Sequence, residues 1–269
     1  MNGKYPNRIV TLSGELTEVI YLLGGKKRIA GVSAFSVHPP EARNEKPVIS
    51  GFTYGNISKI LKLKPDLVLA YSDLQAEMVR ELARAGLEIH LFNQRTVAGI
   101  FKMIRTVGWL IGSPKKADHL VGKLESNLEA ERMKGNIGIR RPVVFFEEWN
   151  QPIICGIQWV SELIEIAGGI DCFRTLSRKP LAADRVISSG SVVMKKRPDI
   201  ILGSWCGRRF KPEEVIRRPG WEAIPAVKRR DIYEVSSNDI LQPGPTALTR
   251  GVAVLGGIIR GWHARRNVI

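Results

Sequence analysis

The chain has 269 residues, 44% of them hydrophobic and 25% charged; these are ordinary globular values, and the length exceeds what one core usually needs, so two lobes are the first expectation. No apolar run approaches the roughly 18 residues of a membrane span, and three cysteines without a C-x-x-C pair (Cys155, Cys172, Cys206) indicate neither a disulfide framework nor a thiolate metal site. The net charge of +15 comes in short scattered groups such as Lys26-Lys27-Arg28 and Lys195-Lys196-Arg197, which argues against a dedicated nucleic-acid stripe.

The N-terminus runs from Met1 through Pro6 directly into the aliphatic stretch Arg8-Ile9-Val10-Thr11-Leu12, without the basic, apolar and small-residue succession of an export signal. As written this reads as a cytoplasmic chain, or as a periplasmic or cell-surface one if a signal has been removed. Strands are expected at about 8–12, 29–32, 67–70 and 88–92, alternating with helices at about 15–23, 57–63 and 74–85; that alternation predicts a parallel α/β sheet in an N-terminal lobe of about residues 1–95. A helical stretch from about Thr96 to Gly135, broken at Gly112-Ser113-Pro114, marks a connection over about residues 96–139. A C-terminal lobe of about residues 140–269 follows, with strands at about 142–147, 200–203 and 232–236 and helices at about 159–167, 189–196 and 246–262.

Two echoes support lobes of similar build. Ile60-Leu61-Lys62-Leu63-Lys64-Pro65-Asp66-Leu67-Val68 returns as Val193-Met194-Lys195-Lys196-Arg197-Pro198-Asp199-Ile200-Ile201, in each case a helix ending in lysine, a proline stop, an aspartate turn and a buried strand. The basic turn Lys26-Lys27-Arg28 before Ile29 is matched by Lys228-Arg229-Arg230 before Ile232, each feeding a short strand.

The chemistry-bearing residues are sparse. The four histidines (His38, His90, His119, His263) form no recognisable ligand cluster, and no nucleophile elbow, phosphate loop or zinc-protease motif is present, so no catalytic residue, metal site or cofactor of its own is assigned and a binding protein is expected. Glu147 and Glu148 are neighbours on a strand and point to opposite faces, which makes one of them a candidate hydrogen-bond acceptor toward a ligand. Aromatic residues fall just after the expected strands: Phe35, Tyr71, Trp149 and Trp205, with Phe52 and Tyr54 in the glycine-bounded loop Gly51-Phe52-Thr53-Tyr54-Gly55. Ligands of open α/β sheets bind outside the strands' carboxyl ends, so these rings are expected to line a cleft for a large, partly apolar ligand.

Several segments carry a family resemblance in their order and spacing. Arg8-Ile9-Val10-Thr11-Leu12-Ser13 with Glu18, Gly31-Val32-Ser33-Ala34-Phe35-Ser36-Val37-His38-Pro39-Pro40, and Leu63-Lys64-Pro65-Asp66 are the first-lobe landmarks. Glu148-Trp149-Asn150-Gln151-Pro152, Gly156-Ile157-Gln158-Trp159, Ala167-Gly168-Gly169, Arg197-Pro198-Asp199 and Gln242-Pro243-Gly244-Pro245 are those of the second. The chain resembles the cobalamin and iron-siderophore class of substrate-binding proteins that serve ABC importers, in particular its cobalamin-binding branch. The resemblance implies two α/β lobes with parallel sheets joined by one long helix, a ligand cleft between them, a corrinoid such as cobalamin as the ligand, and a monomer. It assigns ligand contacts to Phe35, Phe52, Tyr71 and Trp149, and further to Tyr54, Trp159 and Trp205. In the alternative, a ferric siderophore or haem, Arg185 or Arg208 would meet an anionic chelate. Transport members carry an acid on the helix before each Pro-Asp turn to meet permease arginines; here those positions are Ser58 and Ser191. The expectations are therefore a binder coupled to an ABC permease, or a cytosolic corrinoid-handling relative that is not.

Overall fold

The computed structural model describes residues 4–136 and 140–266. Its contacts divide the chain into two units: the first holds the residues up to Gln94, Ala98–Leu124 and Gln242–Thr246, the second Arg95–Val97, Glu125–Leu241 and the chain from Ala247 onward. The 22-residue helix Pro114–Gly135 therefore gives residues to both. Among the described residues, no helix is long and apolar enough to cross a membrane.

The first unit is built on five parallel strands, β1 (Ile9–Thr11), β2 (Ile29–Ser33), β3 (Val48–Ser50), β4 (Leu67–Tyr71) and β5 (Ile89–Phe92), in the order β3-β2-β1-β4-β5. Every residue of β1 and β4 is buried, which is why their sequences are mostly apolar runs rather than alternating ones. From β1 the sheet grows one way through β2 and β3 and the other way through β4 and β5, so the carboxyl ends of β1 and β4 flank the switch point at which such sheets receive ligands. The three-residue edge strand β3, directly after Pro47, was not expected from the sequence.

The second unit carries β6 (Val143–Asn150), β7 (Ile153–Cys155), β8 (Ile170–Asp171), β9 (Ile200–Gly203) and β10 (Ile232–Glu234), in the order β10-β9-β6-β7 with β8 beside the amino half of β6. Its pairings are parallel except β6 with β7, which are antiparallel. That exception corrects the expected end of the strand at residue 147: the chain turns at Gln151-Pro152, and β6 runs on to Asn150 as one arm of a hairpin, with Trp149 opposite Ile154.

The Pro-Asp echo is one device used twice. In the first unit Asp66 accepts the backbone N–H groups of Asn7 (2.7 Å) and Arg8 (2.9 Å); in the second Asp199 accepts those of Val143 (3.0 Å) and the Arg140 guanidinium (2.8 Å). Each aspartate thus ties the start of its own strand, β4 or β9, to the start of the neighbouring β1 or β6. The preceding Lys64 and Arg197 take the same left-handed conformation, φ 46° and 48°. The basic-turn echo is different: β2 lies beside β1, whereas β10 lies beside β9, so those two turns feed strands in non-equivalent places.

Candidate functional site

In the first unit three glutamines fix the carboxyl edge of the sheet. Gln75, fully buried, donates its amide hydrogens to the carbonyls of Leu12 and Phe52, both at 2.8 Å, and its Oε1 accepts the Tyr71 N–H at 2.9 Å. One side chain therefore fastens the ends of β1 and β4 to the loop that carries Phe52. Gln242 donates to the Phe35 carbonyl at 3.0 Å, and Gln94 to the Pro243 carbonyl at 3.3 Å. A Cβ at Gly14 would lie 2.3 Å from both Gln242 Oε1 and Phe35 O, so only glycine fits beneath that amide.

On this scaffold Phe35 and Phe52 meet edge to face, ring centroids 5.8 Å apart, and both are half-buried. Tyr54 is 75% exposed at the tip of a tight turn closed by Gly51 N–H to Tyr54 O at 2.8 Å. Its ring folds back over Gly51, where a Cβ would come within 2.6 Å. Tyr71 is instead buried at the end of β4, and its hydroxyl donates to the Gln94 carbonyl at 3.4 Å. Beneath the edge, the hydroxyls of Thr11, Thr17 and Ser36 form a chain with spacings of 2.7 and 2.8 Å. Beside it, burial pushes the Glu15 carboxyl from an ordinary 4.5 up to about 7, against the lowering pull of its backbone bond and the Ser13 hydroxyl. Glu18, a turn further on, accepts the Thr246 hydroxyl at 2.6 Å.

In the second unit the two neighbouring carboxylates of β6 each hold an arginine of their own. Glu147, with no exposed surface, takes both terminal nitrogens of Arg218 and the Trp205 indole N–H at 3.0 Å. Glu148 takes both terminal nitrogens of Arg185, at 2.6 and 2.9 Å. Trp149 remains half-buried on the hairpin, its N–H given to the Gln151 carbonyl at 3.0 Å. At the carboxyl ends of β9 and β10 an open hollow of about 500 Å³ is lined by Trp205, Arg208, Arg209, Glu234, Ser236 and Ser237.

Like Tyr71, three more of the residues expected to meet a ligand are buried and hydrogen-bonded within their own unit. Trp159 lies in the first turn of the helix Gln158–Ile166, buried, with its N–H given to the Ile240 carbonyl at 2.9 Å. Trp205 is 2% exposed, packed on Phe210 with ring centroids 4.9 Å apart and bonded to Glu147. Arg185 is equally enclosed, and besides Glu148 it serves the Cys155 carbonyl. Of the two arginines considered for an anionic ligand, Arg208 alone is exposed; it lies over the Trp205 ring at 5.1 Å and pairs with Glu214 at 2.6 Å. The glutamine fasteners and the Glu147–Arg218 pair were missed by sequence reasoning; the Gln-Pro-Gly-Pro run around Gln242 was the one signal present. Among the described residues, no group of three histidine, cysteine or acidic side chains is placed to hold a metal ion.

Two α/β units with rings and tethered loops at the carboxyl edges of parallel strands define a binding protein of the periplasmic type. The chain belongs to the periplasmic binding protein family, whose model matches residues 9–238. It is 29% identical over 264 residues to an ABC transporter substrate-binding lipoprotein of Bacillus subtilis, covering 94% of this chain and 79% of that one. It is 26% identical over 248 residues to a vitamin B12-binding protein of Vibrio vulnificus, covering 90% and 86%. The solved structure of a periplasmic heme-binding protein from Roseiflexus superposes with a TM-score of 0.78 at 24% identity, over 94% of this chain and 99% of that one, a likeness of fold. The resemblance read from the sequence thus holds for the family and for the two-unit α/β architecture.

Proposed function

We propose that this chain is a substrate-binding protein that holds one bulky corrinoid, such as cobalamin, through exposed ring surface and leaves it chemically unchanged. The observation that carries this reading is the contrast in how side chains are used there. Phe35, Phe52, Tyr54 and Trp149 keep ring surface exposed or half-exposed, while the nearby carboxylates Glu147 and Glu148 are both spent on arginines. Such edges offer flat apolar contact to a ligand. Likeness to vitamin B12-binding proteins favours a corrinoid over the haem of the structural neighbour. The lipoprotein relative favours a periplasmic or cell-surface place for the chain. Docking on an ABC permease is proposed to be weak, because Ser58 and Ser191 stand exposed on the helices Ile57–Lys62 and Gly190–Lys196, where the resemblance calls for acids.

Ring-deleting variants test the reading. Phe35→Ala or Trp149→Ala should weaken cyanocobalamin binding by about 30-fold, the equivalent of roughly 2 kcal/mol for a contact anchor. Trp159→Phe, which loses the bond to Ile240 and part of a buried ring, should lower thermal stability and leave the affinity unchanged. Equal affinity in all three folded variants would remove the rings from the site.

A further inference from the structure

The excess of positive charge in the second unit is concentrated at the edge of the sheet opposite the candidate site. The strands β9 and β10 are parallel neighbours, so their amino ends lie side by side. The helix Gly190–Lys196 leads into β9 and ends in Lys195, Lys196 and Arg197; the helix Pro225–Arg229 leads into β10 and ends in Lys228, Arg229 and Arg230. All six cations are exposed.

The carboxylates of that edge do not neutralise them. Asp199 is buried and consumed by Arg140 and the Val143 N–H. Asp231 is buried and consumed by Arg265, Arg266 and the Tyr233 hydroxyl. Glu222, on the turn Trp221–Ala223 that packs on both helices, is the exposed carboxylate left among the described residues there. Arg197 and Arg230 also take left-handed backbone, φ 48° and 56°, at helix ends where glycine or asparagine fits without strain.

We propose that this edge is an electrostatic docking surface for an anionic membrane, recognising the phosphates of acidic lipid headgroups. The cations sit on two short helix ends, with no exposed aromatic ring among them to stack on bases and no helix long enough to follow a groove, so a flat array of phosphates suits them better than nucleic acid does. Because it lies at the amino ends of the strands, the surface leaves the ligand edge of the same unit free, and the inference stands whether or not the ligand is a corrinoid.

The test is sedimentation of the whole protein with vesicles of phosphatidylcholine alone and of phosphatidylcholine with phosphatidylglycerol. Binding should require phosphatidylglycerol and fade as salt is raised. The triple variant Lys195→Gln, Lys196→Gln, Lys228→Gln should lower the partition coefficient on the order of a hundredfold, at about fivefold per removed cation. A control triple, Lys102→Gln, Lys115→Gln, Lys123→Gln, removes the same charge from exposed positions on the helices Val97–Leu110 and Pro114–Gly135 and should change it by less than about threefold. Absence of binding to the acidic vesicles, equal losses in the two triples, or displacement of the protein from the vesicles by a DNA duplex at equal phosphate concentration would each overturn the proposal.

Discussion

Replacing Arg218 by methionine should destabilise the protein by about 3–5 kcal/mol, read as a fall in the urea midpoint at unchanged slope. Glu147 has no exposed surface, and of its hydrogen bonds the substitution leaves the one from the Trp205 indole. Stripped of the guanidinium that meets both of its oxygens, the carboxylate would remain in a place that water cannot reach. The arginine also lies over the Trp221 ring at 4.5 Å, a contact the methionine side chain partly replaces. Removing both charges should be far milder, since Glu147→Gln with Arg218→Met keeps an acceptor for the Trp205 N–H and leaves no buried ion unpaired. A double variant as unstable as the single one would show that the pair matters for its packing rather than for its charge. The pair lies at the start of the hairpin that carries Trp149, so its loss should also loosen that ring.

The second large effect is one of pH. The Glu15 carboxyl is buried against the Gln242–Thr246 segment, where a Cβ on Gly244 would come within 2.5 Å of Glu15 Cβ, and its charged neighbour is Glu18. Its folded-state pKa of about 7 lies above the ordinary 4.5. The folded state therefore holds this proton more tightly than the unfolded chain does. The stabilisation is fully present below about pH 4.5 and is lost as pH rises toward about 7, by about 3 kcal/mol in all. Other carboxylates titrate in the opposite sense, as at Glu45, whose pKa is lowered by hydrogen bonds from Lys26 and Tyr21. The comparison that isolates Glu15 is the wild type against Glu15→Gln. The variant should match the wild type near pH 4.5 and exceed it by about 3 kcal/mol at pH 8, measured by urea unfolding at each pH. A constant difference across that range would mean that Glu15 is ionised throughout.

What could be read from the chain beforehand was local chemistry. The Pro-Asp turns announced themselves because proline and aspartate act within a few residues, and their reappearance at β4 and β9 located equivalent strands in both units. Strands made of mostly apolar runs, such as Leu67–Tyr71 and Ile200–Gly203, were equally plain. The hairpin was hidden because Glu148-Trp149-Asn150 has no strand pattern of its own and is extended by pairing with Ile153–Cys155. Gln75 gave no sign, since its partners stand at positions 12, 52 and 71 and meet only in the folded sheet. Residue type alone likewise does not separate Trp149, half-open on a hairpin, from Trp205, largely buried and held by a carboxylate 58 residues away.

The most direct test of the account is equilibrium dialysis of the intact protein against cyanocobalamin, followed by mass spectrometry of the released ligand. Saturable uptake of one corrinoid per chain is expected, with a bound absorption spectrum that disappears on denaturation and a ligand recovered with its mass unchanged. No saturable uptake of the corrinoid, or recovery of a chemically altered product, would contradict it.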